Sequence, residues 1–184
     1  MRKIVVFLRK SKFEPLPVSM CGVRMGERVL QVGVDEASLV GALAAKAGLS
    51  GQASVAVADE AAAAKVRGAG ENAGVLLDVR VTPPHTLPFD GGAFDVAVVH
   101  GVRGLLSALD EATGLAALRE LHRVLRQGGR LVIIEPGPGG GLGAMFRSKA
   151  PGTTSTAALA TAGFKATRVL AEREGYTFTE GLKS

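Results

Sequence analysis

The chain has 184 residues, 47% of them hydrophobic, which allows one domain with a full core and excludes a disordered chain. Aromatic residues are 4% and Trp is missing, so stacking platforms for bases are scarce and no nucleic-acid partner is expected. The net charge is +5, the single cysteine Cys21 excludes an internal disulfide and suits a reducing cytoplasm, and His85, His100 and His122 lack any tight ligand spacing, so no metal is expected.

The charge is placed unevenly. Arg2, Lys3, Arg9, Lys10 and Lys12 precede the first acid, Glu14; removing these five from 22 basic residues leaves 17, equal to the 17 acids. The excess therefore sits in a basic N-terminal arm, read as residues 1–21. Two readings stay open for it: peripheral contact with a membrane surface or another anionic partner, and a solubilising terminus, which is preferred. The apolar run Ile4–Leu8 is too short for a signal-peptide core or a membrane span, so a soluble, cytoplasmic protein is expected.

After the arm, "RVLQVG" (28–33) reads as a buried strand. "ASLVGALAAKAG" (37–48) reads as a helix closed by Gly48. "ASVAVA" (53–58) is a second strand, and Asp59 then caps an Ala-rich helix. "GVLLDVRV" (74–81) and "AFDVAVVHG" (93–101) are strands three and four. A long amphipathic helix spans 111–129, and "GRLVIIEP" (129–136) is the fifth strand. "TTSTAALATAGF" (153–164) is a short helix. Residues 165–183 read as two strands joined by a turn at Glu174-Gly175. Alternating strands and helices predict a Rossmann-like, doubly wound, mostly parallel α/β sheet with helices on both faces. The last junction is too short for a parallel crossover, so that pair is an antiparallel hairpin. The glycine-proline stretch 135–152 reads as a mobile loop rather than a linker, leaving a single domain over 22–184.

Such a sheet takes its ligand at the carboxyl ends of the strands, where strand order reverses, here at the turn Gly33–Ala37. Asp35 and Glu36 make that turn a poor anion trap, which argues against a dinucleotide pyrophosphate and a nicotinamide-dependent oxidoreductase. Cys21 reads as a small packed residue, not a catalytic thiol.

Four segments carry a resemblance: "GERVLQVGVDEASLV", "LPFDGGAFDVAVVHGV", "ALRELHRVLRQGGRLVIIEP" and "LATAGF". Together they resemble the class I S-adenosylmethionine-dependent methyltransferases over roughly residues 22–184. "HGVRGL" (His100–Leu105) and the ending Gly181-Leu182-Lys183 look closest to the ubiquinone and menaquinone C-methyltransferase group. The resemblance implies a seven-stranded sheet, S-adenosylmethionine as cofactor, and methyl transfer to a small or lipid-like, quinone-like acceptor. The alternative is a non-catalytic methyltransferase-like scaffold or partner subunit that has lost the cofactor. The acceptor site is left as open, completed by a second copy in a homodimer, or absent.

The resemblance also assigns roles. Gln31 stands where the family has an acid for the cofactor's ammonium; Gln31 accepts a hydrogen bond but brings no charge. Gly33 is the retained motif glycine, while Asp35 and Ala37 replace the others. Asp35 blocks the cofactor, supplies the missing carboxylate from a new place, or caps the following helix. Asp59 is placed to grip the ribose hydroxyls, to cap its helix, or both, with Glu60 as the fallback. No acid precedes "LPF", so adenine is expected to rest on packing from Val81 and Leu87. His100 and Arg103 face the reaction site. His100 reads as a general base or hydroxyl-orienting group beside the cofactor, or as a strand-end histidine satisfied by backbone. Arg103 reads as a holder of an acceptor oxygen, or as a solvated arginine.

Overall fold

Short runs of β-branched and aliphatic residues make the central strands, and each run is apolar on both faces because helices cover both. A computed structural model of the chain describes residues 15–101, 105–106, 109–137 and 156–184. The basic residues of the arm, Arg103 and the glycine-proline residues 138–152 lie outside them. In chain order the elements are α1 (Leu16–Cys21), β1 (Arg28–Val32), α2 (Ala37–Ala47), β2 (Gln52–Val57), α3 (Glu60–Ala73), β3 (Asp78–Val81), β4 (Phe94–His100), α4 (Glu111–Val124), β5 (Leu125–Pro136), α5 (Thr156–Thr161), β6 (Lys165–Arg173) and β7 (Tyr176–Leu182).

The strands form one seven-stranded sheet in the order β3-β2-β1-β4-β5-β7-β6. β1 to β5 pair in parallel, and β7 runs antiparallel to both β5 and β6. Strand order reverses between β1 and β4. Alternation along each strand splits the core in two. Leu30, Val32, Ala97, Val99, Leu131 and Ile133 pack with α4 and α5. Val29, Val96, Val98, Val132 and Ile134 pack with α1 and α2. Val55 and Val57 pack under α3 with Val66. Among the described residues no helix is long and apolar enough to cross a membrane.

The boundaries differ from the sequence reading in four places. The packed body starts before residue 22: α1 buries Val18 and Cys21 against α2 and the sheet. Burial also pushes the Cys21 thiol up to about 12, which keeps it a neutral packing group. β3 begins at Asp78, not at Gly74, because Gly74 ends α3 in a left-handed conformation. There its N–H donates to Glu71 O while Val75 N–H donates to Gly70 O, a Schellman closure that uses up the approach to the strand. α4 stops at Val124, five residues short of the expected end. The carbonyls of His122, Arg123 and Leu125 accept from Lys183 Nζ at 2.8, 3.3 and 2.7 Å, which fixes where the helix ends and β5 begins. α5 is a six-residue helix within the longer stretch expected.

The opposite end of the sheet is locked by ion pairs. Asp95 accepts from the Arg28 backbone at 2.7 Å and pairs with the Arg28 and Arg126 side chains. Arg130 pairs with Glu27 at 3.0 Å. These contacts anchor the amino ends of β1 and β4 and the start of β5, leaving the carboxyl ends to form the site.

Candidate cofactor and active site

A cleft of about 520 Å³ opens at the carboxyl ends of β1, β2 and β4. Val32, Gly33, Val34 and Asp35 form one wall. Ala56, Val57, Ala58 and Ala62 form the floor toward α3, and Thr82, Pro83 and Pro84 close the far end. His100, Leu105 and Leu109 complete the side toward β4. A larger groove of about 720 Å³ lies at the other end of the sheet, beside Leu49 and Leu76. It lacks converging buried polar groups. The cleft has the buried His100 in its lining and the buried Gln31 two residues before Gly33, and it sits at the strand-order reversal.

Gly33 shapes the turn. Its φ is +78°, and a Cβ there would fall 2.7 Å from Leu105 Cδ2 and 2.9 Å from the His100 carbonyl oxygen. Only glycine lets the chain leave β1 this close to β4. The Gly33 N–H donates to Ala56 O at 3.0 Å, tying the turn to β2.

Beneath the turn, Gln31 is 2% exposed and His100 is 3% exposed. Gln31 alternates with Val29 and His100 with Val98, so both side chains lie on the α1–α2 face of the sheet. Gln31 Nε2 donates to Gly33 O at 3.1 Å. Gln31 Oε1 and His100 Nδ1 are buried without a hydrogen-bond partner among the described residues. Buried polar atoms are nearly always satisfied; Ser54 Oγ and Thr179 Oγ1, outside the cleft lining, are likewise unpartnered among the described residues, so it is the place of Gln31 and His100 beside the turn that suits them to a ligand. Burial holds the His100 pKa below its usual value, and the nearby charges of Asp35 and Glu36 only partly oppose that shift.

The other expected site residues are distributed as follows. Asp35 lines the cleft, one residue before the N-cap position of α2. The N-cap position is Glu36, whose side chain makes no capping bond and instead accepts from Ser38 Oγ at 2.8 Å. Ala37 is the first residue of α2, two residues beyond Asp35, the last lining residue of the turn. Asp59 caps α3, its Oδ1 accepting from Ala62 N–H at 2.7 Å, and stands between the lining residues Ala58 and Ala62. Glu60 is turned along α3 and pairs with Arg67 at 3.2 Å, away from the cleft. Leu87 is not a wall of the cleft but part of the core under α4. Its backbone N–H donates to Glu120 and its carbonyl accepts from Arg123, and that double tie pulls it beneath the sheet. Val81 is largely exposed at the sheet edge, so the packing expected from Val81 and Leu87 falls to Pro83 and Pro84. Arg103 lies outside the described residues. Sequence reasoning missed the proline pair as a wall and Leu105 as the side chain resting on Gly33. "TPPH" just after a strand was the available signal for the first.

The residues present suit S-adenosylmethionine. The glycine cradle admits backbone-close contact, the proline end is apolar enough for a base, and two buried orphan polar atoms await partners. A family profile described as a methyltransferase domain matches residues 30–133.

The chain belongs to the methyltransferase-domain family.

This methyltransferase-domain chain is 29% identical over 119 residues to the ubiquinone/menaquinone biosynthesis C-methyltransferase UbiE of Cupriavidus taiwanensis, covering 64% of the chain and 46% of that protein. The enzyme of the same name from Citrifermentans bemidjiense is 39% identical over 59 residues, covering 32% of the chain and 23% of that protein. The matches thus span less than half the length of these relatives. Among solved structures, an S-adenosylmethionine-dependent methyltransferase from Aquifex aeolicus superposes with a TM-score of 0.72 at 20% identity, covering 89% of this chain and 86% of that one. The sheet order and terminal hairpin are those of the class I methyltransferase fold.

Proposed function

We propose that the chain is an S-adenosylmethionine-dependent methyltransferase acting on a small or lipid-like acceptor, with a quinone-like ring as the finer reading. One observation carries it: the cleft at the strand-order reversal joins a positive-φ glycine turn to a buried, unpartnered His100. The names of the distant relatives support the quinone-like acceptor.

When bound, S-adenosylmethionine supplies an electrophilic methyl group on a sulfonium centre, so little covalent chemistry falls to the protein. Alignment and exclusion of water are its work. Pro83, Pro84 and Ala58 form the slot for the base, and Asp59 offers a carboxylate beside the ribose. Gly33 lets the amino-acid end approach the backbone. Leu105 and Leu109 keep water off the side toward β4. His100 Nδ1 is the group that takes a proton from an acceptor hydroxyl or carbon acid, because burial keeps its ring neutral at pH 7. Arg103, three residues on, is assigned to the acceptor oxygen.

The test is transfer of a labelled methyl group from S-adenosylmethionine to short-chain benzoquinols and naphthoquinols. Label is expected in the extracted quinol, with a loss of tenfold or more in His100→Ala. Cofactor binding without label in any quinol would remove the finer reading. No cofactor binding at all would leave the non-catalytic scaffold.

A further inference from the structure

The cleft is electrically lopsided. Among its described lining residues Asp35 alone carries a charge; the rest are aliphatic, Gly, Pro, Thr and a His100 kept neutral by burial. S-adenosylmethionine brings two cationic groups, the α-ammonium and the sulfonium. A cation entering an apolar cleft is costly unless a counter-charge meets it there. The residue beneath the turn is the wrong kind for that task. Gln31 offers only a neutral acceptor, Oε1, and its amide is already held on Gly33 O at 3.1 Å.

We propose, on the basis of the cofactor assignment above, that Asp35 is the counter-ion of the cofactor's α-ammonium, and that Gln31 Oε1 is a neutral second acceptor for the same group. The turn places Asp35 two residues after Gly33, on the wall that follows β1, while Pro83 and Pro84 follow β3 two strands away. The base and the amino-acid tail are therefore separated by kind of wall, one apolar and one anionic. The N-cap position of α2 is Glu36, one residue past Asp35.

Two adenosine ligands separate this from mere adenosine binding. S-adenosylhomocysteine has the ammonium and no sulfonium charge; 5′-methylthioadenosine has neither. Calorimetric titration of the full chain at pH 7.5 is expected to show S-adenosylhomocysteine binding at least tenfold tighter than 5′-methylthioadenosine. In Asp35→Asn, an isosteric change on a turn, that preference should shrink at least tenfold, about 1.4 kcal/mol, with 5′-methylthioadenosine affinity held within about twofold. The second ligand thus doubles as a control for folding. An unchanged preference, or tighter S-adenosylhomocysteine binding by the variant, overturns the inference alone and identifies Asp35 as a bystander or an obstruction. Failure of the unaltered chain to bind either ligand overturns the cofactor assignment and the inference together.

Discussion

Asp59 shows how one side chain can serve two tasks, and the two are separable. Its Oδ1 caps α3 at 2.7 Å from Ala62 N–H, a contact worth about 1 kcal/mol. If its carboxylate also grips the ribose, Asp59→Ser keeps a good cap but loses the paired acceptors. Cofactor affinity should then fall at least tenfold while the melting temperature stays within about 2 °C. Equal affinity in the variant would mean that Asp59 only caps. His100 gives a pH prediction. Its folded pKa is depressed, chiefly by burial, so the unfolded chain binds the proton first as pH falls below about 6.5. Stability should therefore decline on acidification through that value until the folded ring protonates. His122, also depressed by burial, adds to the same decline. Denaturant titrations at pH 7.5 and 5.5 should show the loss, and His100→Gln should reduce it. An identical loss in that variant would contradict the assignment. At this scale the sequence was legible where a residue acts through its neighbours in the chain, as Asp59 does in its cap. It was opaque where distant segments decide. Leu87 reads as a wall from its place before "PF", yet Glu120 and Arg123, more than thirty residues away, tie its backbone to α4.

Elements were predictable because two patterns agree, apolar runs for buried strands and 3.6-residue spacing for helices. Their ends were less so, since tertiary bonds set them. "RVLRQGG" continues a good helical pattern, but Lys183 draws three carbonyls to itself and ends α4 at Val124. Lys183 belongs to the ending that carries the finer family resemblance, and the structure gives it a structural duty. Its ammonium satisfies the orphan carbonyls of a helix end and ties the last strand to the body. Lys183→Met should cost about 1.5–3 kcal/mol, because hydrogen bonds from a charged donor are lost. For a domain of this size that is a fall of roughly 3–12 °C in melting temperature by scanning calorimetry. A shift below about 1 °C would show the three bonds to be replaceable by water. Lys183→Arg should recover part of the loss.

The whole molecule separates its two ends by chemistry. The ion pairs around Asp95 and Glu27 close the amino ends of the central strands. The carboxyl ends are left with a glycine turn, the carboxylates of Asp35 and Asp59, and buried orphan polar atoms. The order β3-β2-β1-β4-β5-β7-β6 fixes where those ends meet; the alternation and the short hairpin were readable in the sequence, and the strand order was not, because alternation fits more than one doubly wound order. What the sequence left open was the meaning of the altered turn, since an acid in place of a glycine reads equally as a cap, an obstruction or a ligand. The fold puts Glu36 at the N-cap position and Asp35 in the cleft wall, and binding decides between obstruction and ligand. Calorimetric titration of the full chain with S-adenosylmethionine and S-adenosylhomocysteine shows whether this turn still holds the cofactor. Roughly micromolar binding of at least one of them, about −8 kcal/mol, is expected. No heat of binding from either at millimolar concentration would contradict the cofactor assignment.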